Sequence, residues 1–106
     1  MALPDMSSED RIKALENAKA ARSRRAALLR EVTAGTTTVA QVLEMAQGDP
    51  CYERIKVTAL LKAVPGYGDI RVERLMKSLR IAESRRLRGL GPHQRAALIE
   101  HFSLVE

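Results

Sequence analysis

Residues 56–79 read KVTALLKAVPGYGDIRVERLMKSL, and the fold class turns on how this stretch is divided. Its first part, IKVTALLKAV with the preceding isoleucine, is a compact apolar helix from about Lys56 to Val64. Pro65-Gly66-Tyr67-Gly68 stops that helix abruptly, because proline cannot continue it and two glycines free the backbone. Beyond the stop, Val72, Leu75, Met76 and Leu79 recur at i, i+3, i+4 and i+7, the period of an amphipathic helix. Arg71, Arg74 and Lys77 fall off that stripe, so the second helix is core on one side and basic on the other, and Asp69 is predicted to cap it.

The flanking sequence extends the same pattern. Thr38 followed three residues later by Gln41 has the form of a capping box, and Val39, Val42, Leu43 and Ala46 then mark a helix ending near Gly48. Asp49-Pro50 restarts a short turn. Toward the C-terminus the periodicity fails from Arg80 to Gly91, and Gly91-Pro92 opens a last helix anchored by Leu98, Ile99 and Phe102. At the other end, Ser7 or Ser8 can cap a helix whose first turn holds Glu9 and Asp10, and no Gly or Pro interrupts it before about Arg30 or Thr33. From Ser8 to Arg30 it would span about 34 Å. Ile12, Leu15 and Leu29 lie on roughly one side, but Arg11, Lys19, Arg22, Arg25 and Arg30 share the same arc, so this helix has no clean apolar stripe and is expected to project from the body.

Composition agrees with an all-α chain. Of 106 residues 45% are hydrophobic, yet only Tyr52, Tyr67 and Phe102 are aromatic, so the core must come from Leu, Ile, Val, Ala and Met. The expected architecture is a long N-terminal helix plus a small bundle of about four short helices, with a basic helical arm over 1–34 and the rest of the body over 35–106. The length suits one small domain. One cysteine, Cys51, cannot make an internal disulfide and is read as a buried or half-exposed structural thiol. No signal-like opening or membrane-length apolar run is present, and the expected location is cytoplasmic.

Charge is unevenly spread. Residues 1–34 carry +2, residues 35–55 carry −2 and residues 56–106 carry +5, for a net charge of +5. A basic C-terminal half makes a polyanion the leading partner, with nucleic acid the commonest one. Two loops could meet it. In Pro65-Gly66-Tyr67-Gly68 the glycines let successive backbone N–H groups converge on a phosphate; equally, the loop could simply turn the chain between packed helices. In the second, Arg85, Arg86 and Arg88 precede Gly89, and the alternating Leu87 and Leu90 would pin the loop so that the guanidinium groups share a direction. The alternative is a solvated charge run. His93 and His101 read as a surface pair rather than metal ligands, and no nucleotide, zinc-protease or serine-hydrolase motif occurs. Neither an enzyme nor a cofactor or metal is expected.

The opening MALP, the Lys/Arg/Ala-rich first helix, KVTALLKAVPGYG, LMKSLRI and SRRLRGLG, in that order and spacing, resemble the actinobacterial integration host factor family. That family is similar in its central part to the helix-two-turns-helix segment of ribosomal protein S13 and of formamidopyrimidine-type DNA glycosylases. The resemblance implies that 35–106 is a helix-two-turns-helix DNA-binding domain in a nucleoid-associated protein. It further implies binding to double-stranded DNA with little sequence preference, bending and compaction, support of phage integrase recombination on DNA, and effects on transcription. It also implies site residues: a lid over the DNA backbone made by Val64, Pro65, Gly66, Tyr67, Gly68, Asp69, Ile70 and Arg71; a second zone at Arg85, Arg86, Arg88 and Gly89; and a first helix whose Lys19, Arg22, Arg24 and Arg25 track phosphates.

Two departures stand out. Many members carry Lys where this chain has Asp69, and a small aliphatic residue where it has Tyr67. A carboxylate at Asp69 repels phosphate unless a helix terminus consumes it, and Arg71 is the candidate replacement cation. Weaker lid binding and a larger share of affinity from SRRLRGLG are expected. Other readings are an RNA-binding or ribosome-associated module, or a helical adaptor for a protein partner. No heptad seam argues for a dimer, so a monomer is expected.

Overall fold

The computed structural model describes residues 7–103; the MALP opening lies outside the described residues. Helix α1 spans Ser8–Ala34. Ser7 caps it, its Oγ accepting the Asp10 N–H at 3.1 Å, and Glu9 and Asp10 occupy the electropositive first turn as expected. It ends at Gly35, whose φ of 80° is a left-handed conformation that glycine adopts without strain. With 27 residues the helix is about 40 Å long.

Residues 8–20 of α1 are exposed throughout, so this half projects from the body. From Ala21 onward the helix beds down on the core. Its anchors are Leu28 and Val32, both buried, with Leu29 partly so. Ile12 and Leu15, which the sequence puts on one side with Leu29, are 54% and 70% exposed. The helix has no apolar stripe because only its second half has anything to pack against.

Helix α2, Val39–Ala46, begins with the expected capping box: Thr38 Oγ1 accepts the Gln41 N–H at 3.1 Å, and Gln41 Oε1 accepts the Thr38 N–H at 2.8 Å. Val39, Val42, Leu43 and Ala46 are all buried. Asp49 then organises a single 3₁₀ turn at Tyr52–Arg54, its Oδ1 accepting the N–H groups of Cys51 and Tyr52. Helix α3 is Val57–Ala63 and α4 is Asp69–Ser78, the latter burying Val72 and Met76. Helix α5, Pro92–Ser103, carries proline at its first position and buries Leu98 and Phe102.

Helix α5 packs on α2, and α3 packs on both α1 and α4, around one core of aliphatic side chains plus Tyr67 and Phe102. The aperiodic stretch 80–91 is ordered by backbone pairing. Val57 donates to the Arg85 carbonyl at 3.0 Å, Leu87 donates to the Ile55 carbonyl at 2.9 Å, and Leu87–Gly89 forms a second 3₁₀ turn. Arg80 turns the chain at the end of α4 with a φ of 57°, a left-handed conformation costly for a residue with a Cβ. Gln94 of α5 holds that corner, its Nε2 donating to the Arg80 carbonyl at 2.8 Å. The architecture is all-α, a long helix with four short ones, and no helix among the described residues is long and apolar enough to cross a membrane.

Candidate nucleic-acid interface

Helix α3 is about 10 Å long, and the two loops singled out by sequence lie at its two ends. Val64–Arg71 follows its C-terminus, while Arg85 and Arg86 pair with the chain just before its N-terminus, where Lys56 and Arg86 form an isolated antiparallel bridge. A groove of mixed charge, lined by Lys56 and Lys62 but also by Asp69, Glu73 and Glu83, runs between them.

In the first loop Val64 and Tyr67 are buried, and the Tyr67 N–H closes the turn on the Val64 carbonyl at 3.1 Å. Gly66 has a φ of 87°, so glycine is required here for conformation. Pro65, Gly66, Gly68, Asp69, Ile70 and Arg71 are exposed. Contrary to the sequence expectation, Asp69 is not the cap of α4. That place belongs to Gly68, which offers no side-chain acceptor, and Asp69 is the first helical residue. Its carboxylate, 86% exposed, instead meets Lys62 Nζ at 3.2 Å. No side chain therefore caps the amides of the first turn, and the Lys62–Asp69 pair cancels a charge beside them.

Arg71 lies across the same turn. Its guanidinium sits 4.0 Å over the Tyr67 ring and its Nη1 donates to the Gly66 carbonyl at 3.3 Å. Tyr67 faces the protein, its hydroxyl 2.8 Å from His101 Nε2 and its ring 5.1 Å from that of Phe102. The two histidines thus do not form a surface pair: His93 is exposed, but His101 is half-buried behind the lid. Nothing in the spacing of residues 67 and 101 signals this contact.

The arginines of the second loop do not share one direction. Arg85 is half-buried, and its Nη1 donates to the Gly89 carbonyl at 2.6 Å. A Cβ on Gly89 would come within 2.8 Å of Arg85 Cδ, so this glycine makes room for Arg85. Arg86 is exposed and donates to the Arg54 carbonyl at 2.8 Å. Arg88 is exposed beside a shallow groove lined by Glu53, Gln47 and Arg95. Leu87 is buried and pins the loop, as its alternation with the arginines predicts.

On α1, Lys19 and Arg22 are exposed, whereas Arg24 and Arg25 turn toward the 3₁₀ turn. Arg24 Nη2 contacts Asp49 Oδ2 at 3.2 Å with its guanidinium 4.8 Å from the Tyr52 ring centre, and Arg25 Nη1 donates to the Cys51 carbonyl at 3.5 Å. The Cys51 thiol donates to the Ala21 carbonyl at 3.4 Å, consistent with a structural thiol. These contacts fix the angle at which the arm leaves the body. Partial withdrawal from water opposes ionisation of Asp49, but the Tyr52 and Cys51 amides and Arg24 outweigh it and hold its carboxyl below the usual range. A depressed carboxyl pKa stabilises the fold above the unfolded value and ceases to do so as pH falls through the folded value. Protection factors against hydrogen exchange at residues 21–30 and 49–54 are therefore expected to fall on acidification below about pH 4. Asp49→Asn should abolish that step; an unchanged step in the variant would remove Asp49 from the junction.

Residues 32–102 match the family model for an S13-like H2TH domain. The chain is 47% identical over 102 residues to the integration host factor of Mycobacterium tuberculosis, covering 96% of this chain and 97% of that protein. It is 40% identical over 102 residues to the integration host factor of Streptomyces coelicolor, covering 96% and 95%. Its fold is similar to a solved structure of sIHF bound to an 8-base-pair palindromic DNA, with a TM-score of 0.79 and 38% identity over 82% of this chain and 98% of that one. With a helix-two-turns-helix core and relatives matched along nearly its whole length, the chain belongs to the actinobacterial integration host factor family.

Proposed function

We propose that this protein is a non-enzymatic, nucleoid-associated architectural factor. As a monomer it grips the backbone of duplex DNA with little sequence preference, bends and compacts it, and so supports integrase-mediated recombination and gene regulation. The observation that carries this reading is the shared fold with a relative whose solved structure holds DNA. The local chemistry fits: uncapped amides at the start of α4, Arg71 across the lid, and Arg86 and Arg88 beyond the other end of α3 all suit phosphate oxygens. Phosphate contacts position a protein on DNA without reading sequence. Ile70, apolar and 68% exposed at the lid, suits the sugar edge of the minor groove. Lys19 and Arg22 extend the basic track along the arm, and Arg24, Arg25 and Arg85 support the two contact surfaces from within.

The S13-like match favours a structured RNA as the second reading. Recognition of single strands rests on exposed aromatic platforms, and here Tyr67 and Phe102 are buried. Fluorescence anisotropy with a random-sequence duplex and a stem-loop RNA at several salt concentrations separates the readings. Steeply salt-dependent, submicromolar binding to the duplex without RNA preference is expected. Tight binding to RNA alone would overturn the proposal.

A further inference from the structure

We propose that Tyr67 and His101 are positioning residues that hold Arg71 across the Pro65–Gly68 turn, making it the preorganised anion-binding cation of this lid. The inference rests on the functional reading above and concerns how this chain grips a phosphate while carrying Asp69 at the lid. Asp69 and Lys62 pair at 3.2 Å, so together they bring the lid no net charge. Arg71 remains, and a long exposed side chain ordinarily loses much rotamer freedom when it is captured by a ligand.

Here that freedom is already restricted. The Tyr67 ring supports one face of the guanidinium at 4.0 Å, and the Gly66 carbonyl takes one of its five N–H donors at 3.3 Å. The remaining donors stay available beside the uncapped amides of α4. The ring is itself packed and tethered. It is 6% exposed, its hydroxyl bonds His101 Nε2 at 2.8 Å, and it meets the rings of Phe102 and His101 at 5.1 and 6.0 Å. Leucine in its place would fill much of the volume, but would present neither a π face to Arg71 nor a hydroxyl to His101.

A double-mutant cycle tests this, with duplex affinity and salt slope measured by anisotropy and folding checked by thermal melting. Arg71→Ala is expected to flatten the salt slope by about 0.9 unit. Tyr67→Leu should weaken the wild type about fivefold and leave the Arg71→Ala protein nearly unaffected. His101→Leu should behave likewise with a smaller penalty, and His101→Gln, which can still bond the Tyr67 hydroxyl, should restore most of it. If Tyr67→Leu fails to melt cooperatively, Tyr67→Phe, which keeps the ring and loses only the tether, runs through the same cycle. Equal penalties in both Arg71 backgrounds, or none in the wild type, would overturn the assignment alone. A wild type without duplex affinity would instead overturn the functional reading beneath it.

Discussion

Raising monovalent salt from 50 to 200 mM is expected to weaken binding to a random-sequence duplex by about 500-fold. Five side chains are exposed and basic along the proposed track: Lys19 and Arg22 on the arm, Arg71 at the lid, and Arg86 and Arg88 beyond the other end of α3. At about 0.9 unit per neutralised phosphate they give a slope of log K against log salt near −4.5. Arg85 is left out because it is half-buried against the Gly89 carbonyl, and Arg24 because Asp49 neutralises it. Asp69→Lys provides the opposing arm of the test. It adds a cation at the lid and releases Lys62 from its ion pair, so the slope should steepen by up to about two units. A wild-type slope shallower than about −2 would show that most of these side chains do not reach phosphates.

What the sequence revealed and what it concealed follow from the range of the interactions involved. Helix positions were legible because caps and periodicity are local: Thr38 with Gln41, the stripe Val39–Val42–Leu43–Ala46, and Pro65-Gly66 all act within one or two turns. Asp69 differs from its expected role as cap because a carboxylate at a helix start can serve as cap or as first residue, and here it pairs with Lys62, the penultimate residue of the preceding helix. The three arginines of 84–91 look equivalent in spacing, yet one is half-buried against a glycine, and of the two exposed ones only Arg86 bonds a carbonyl 32 residues away. Their fates depend on pairing between residues 55–57 and 85–87, which no local pattern encodes. The same holds for Tyr67 and His101, 34 residues apart. Thus the loops of the proposed site could be named from sequence, while the direction of each side chain in them could not.

Phe102→Ala should be the most damaging single substitution within the body, and its effect should reach the lid. Phe102 is 1% exposed near the end of α5, and truncating a buried phenylalanine costs about 3–5 kcal/mol. Against a total of about 5–15 kcal/mol for a domain of this class, that removes a large share of the stability, equivalent to roughly 15–25 °C in melting temperature. The ring also forms the back wall of the Tyr67 site, 5.1 Å from Tyr67 and 4.9 Å from His101. A cavity there gives Tyr67 room to withdraw from beneath Arg71, so the molecules that remain folded should bind duplex DNA more weakly as well. Phe102→Leu separates the two consequences. It keeps most of the buried volume, at an expected cost below about 1.5 kcal/mol, but removes the aromatic contact with Tyr67. Thermal melts followed by circular dichroism, paired with anisotropy at temperatures where each variant is fully folded, measure both. A loss under about 1.5 kcal/mol for Phe102→Ala would mean that α5 is not integral to the core, and the lid would then have to be held by α3 and α4 alone.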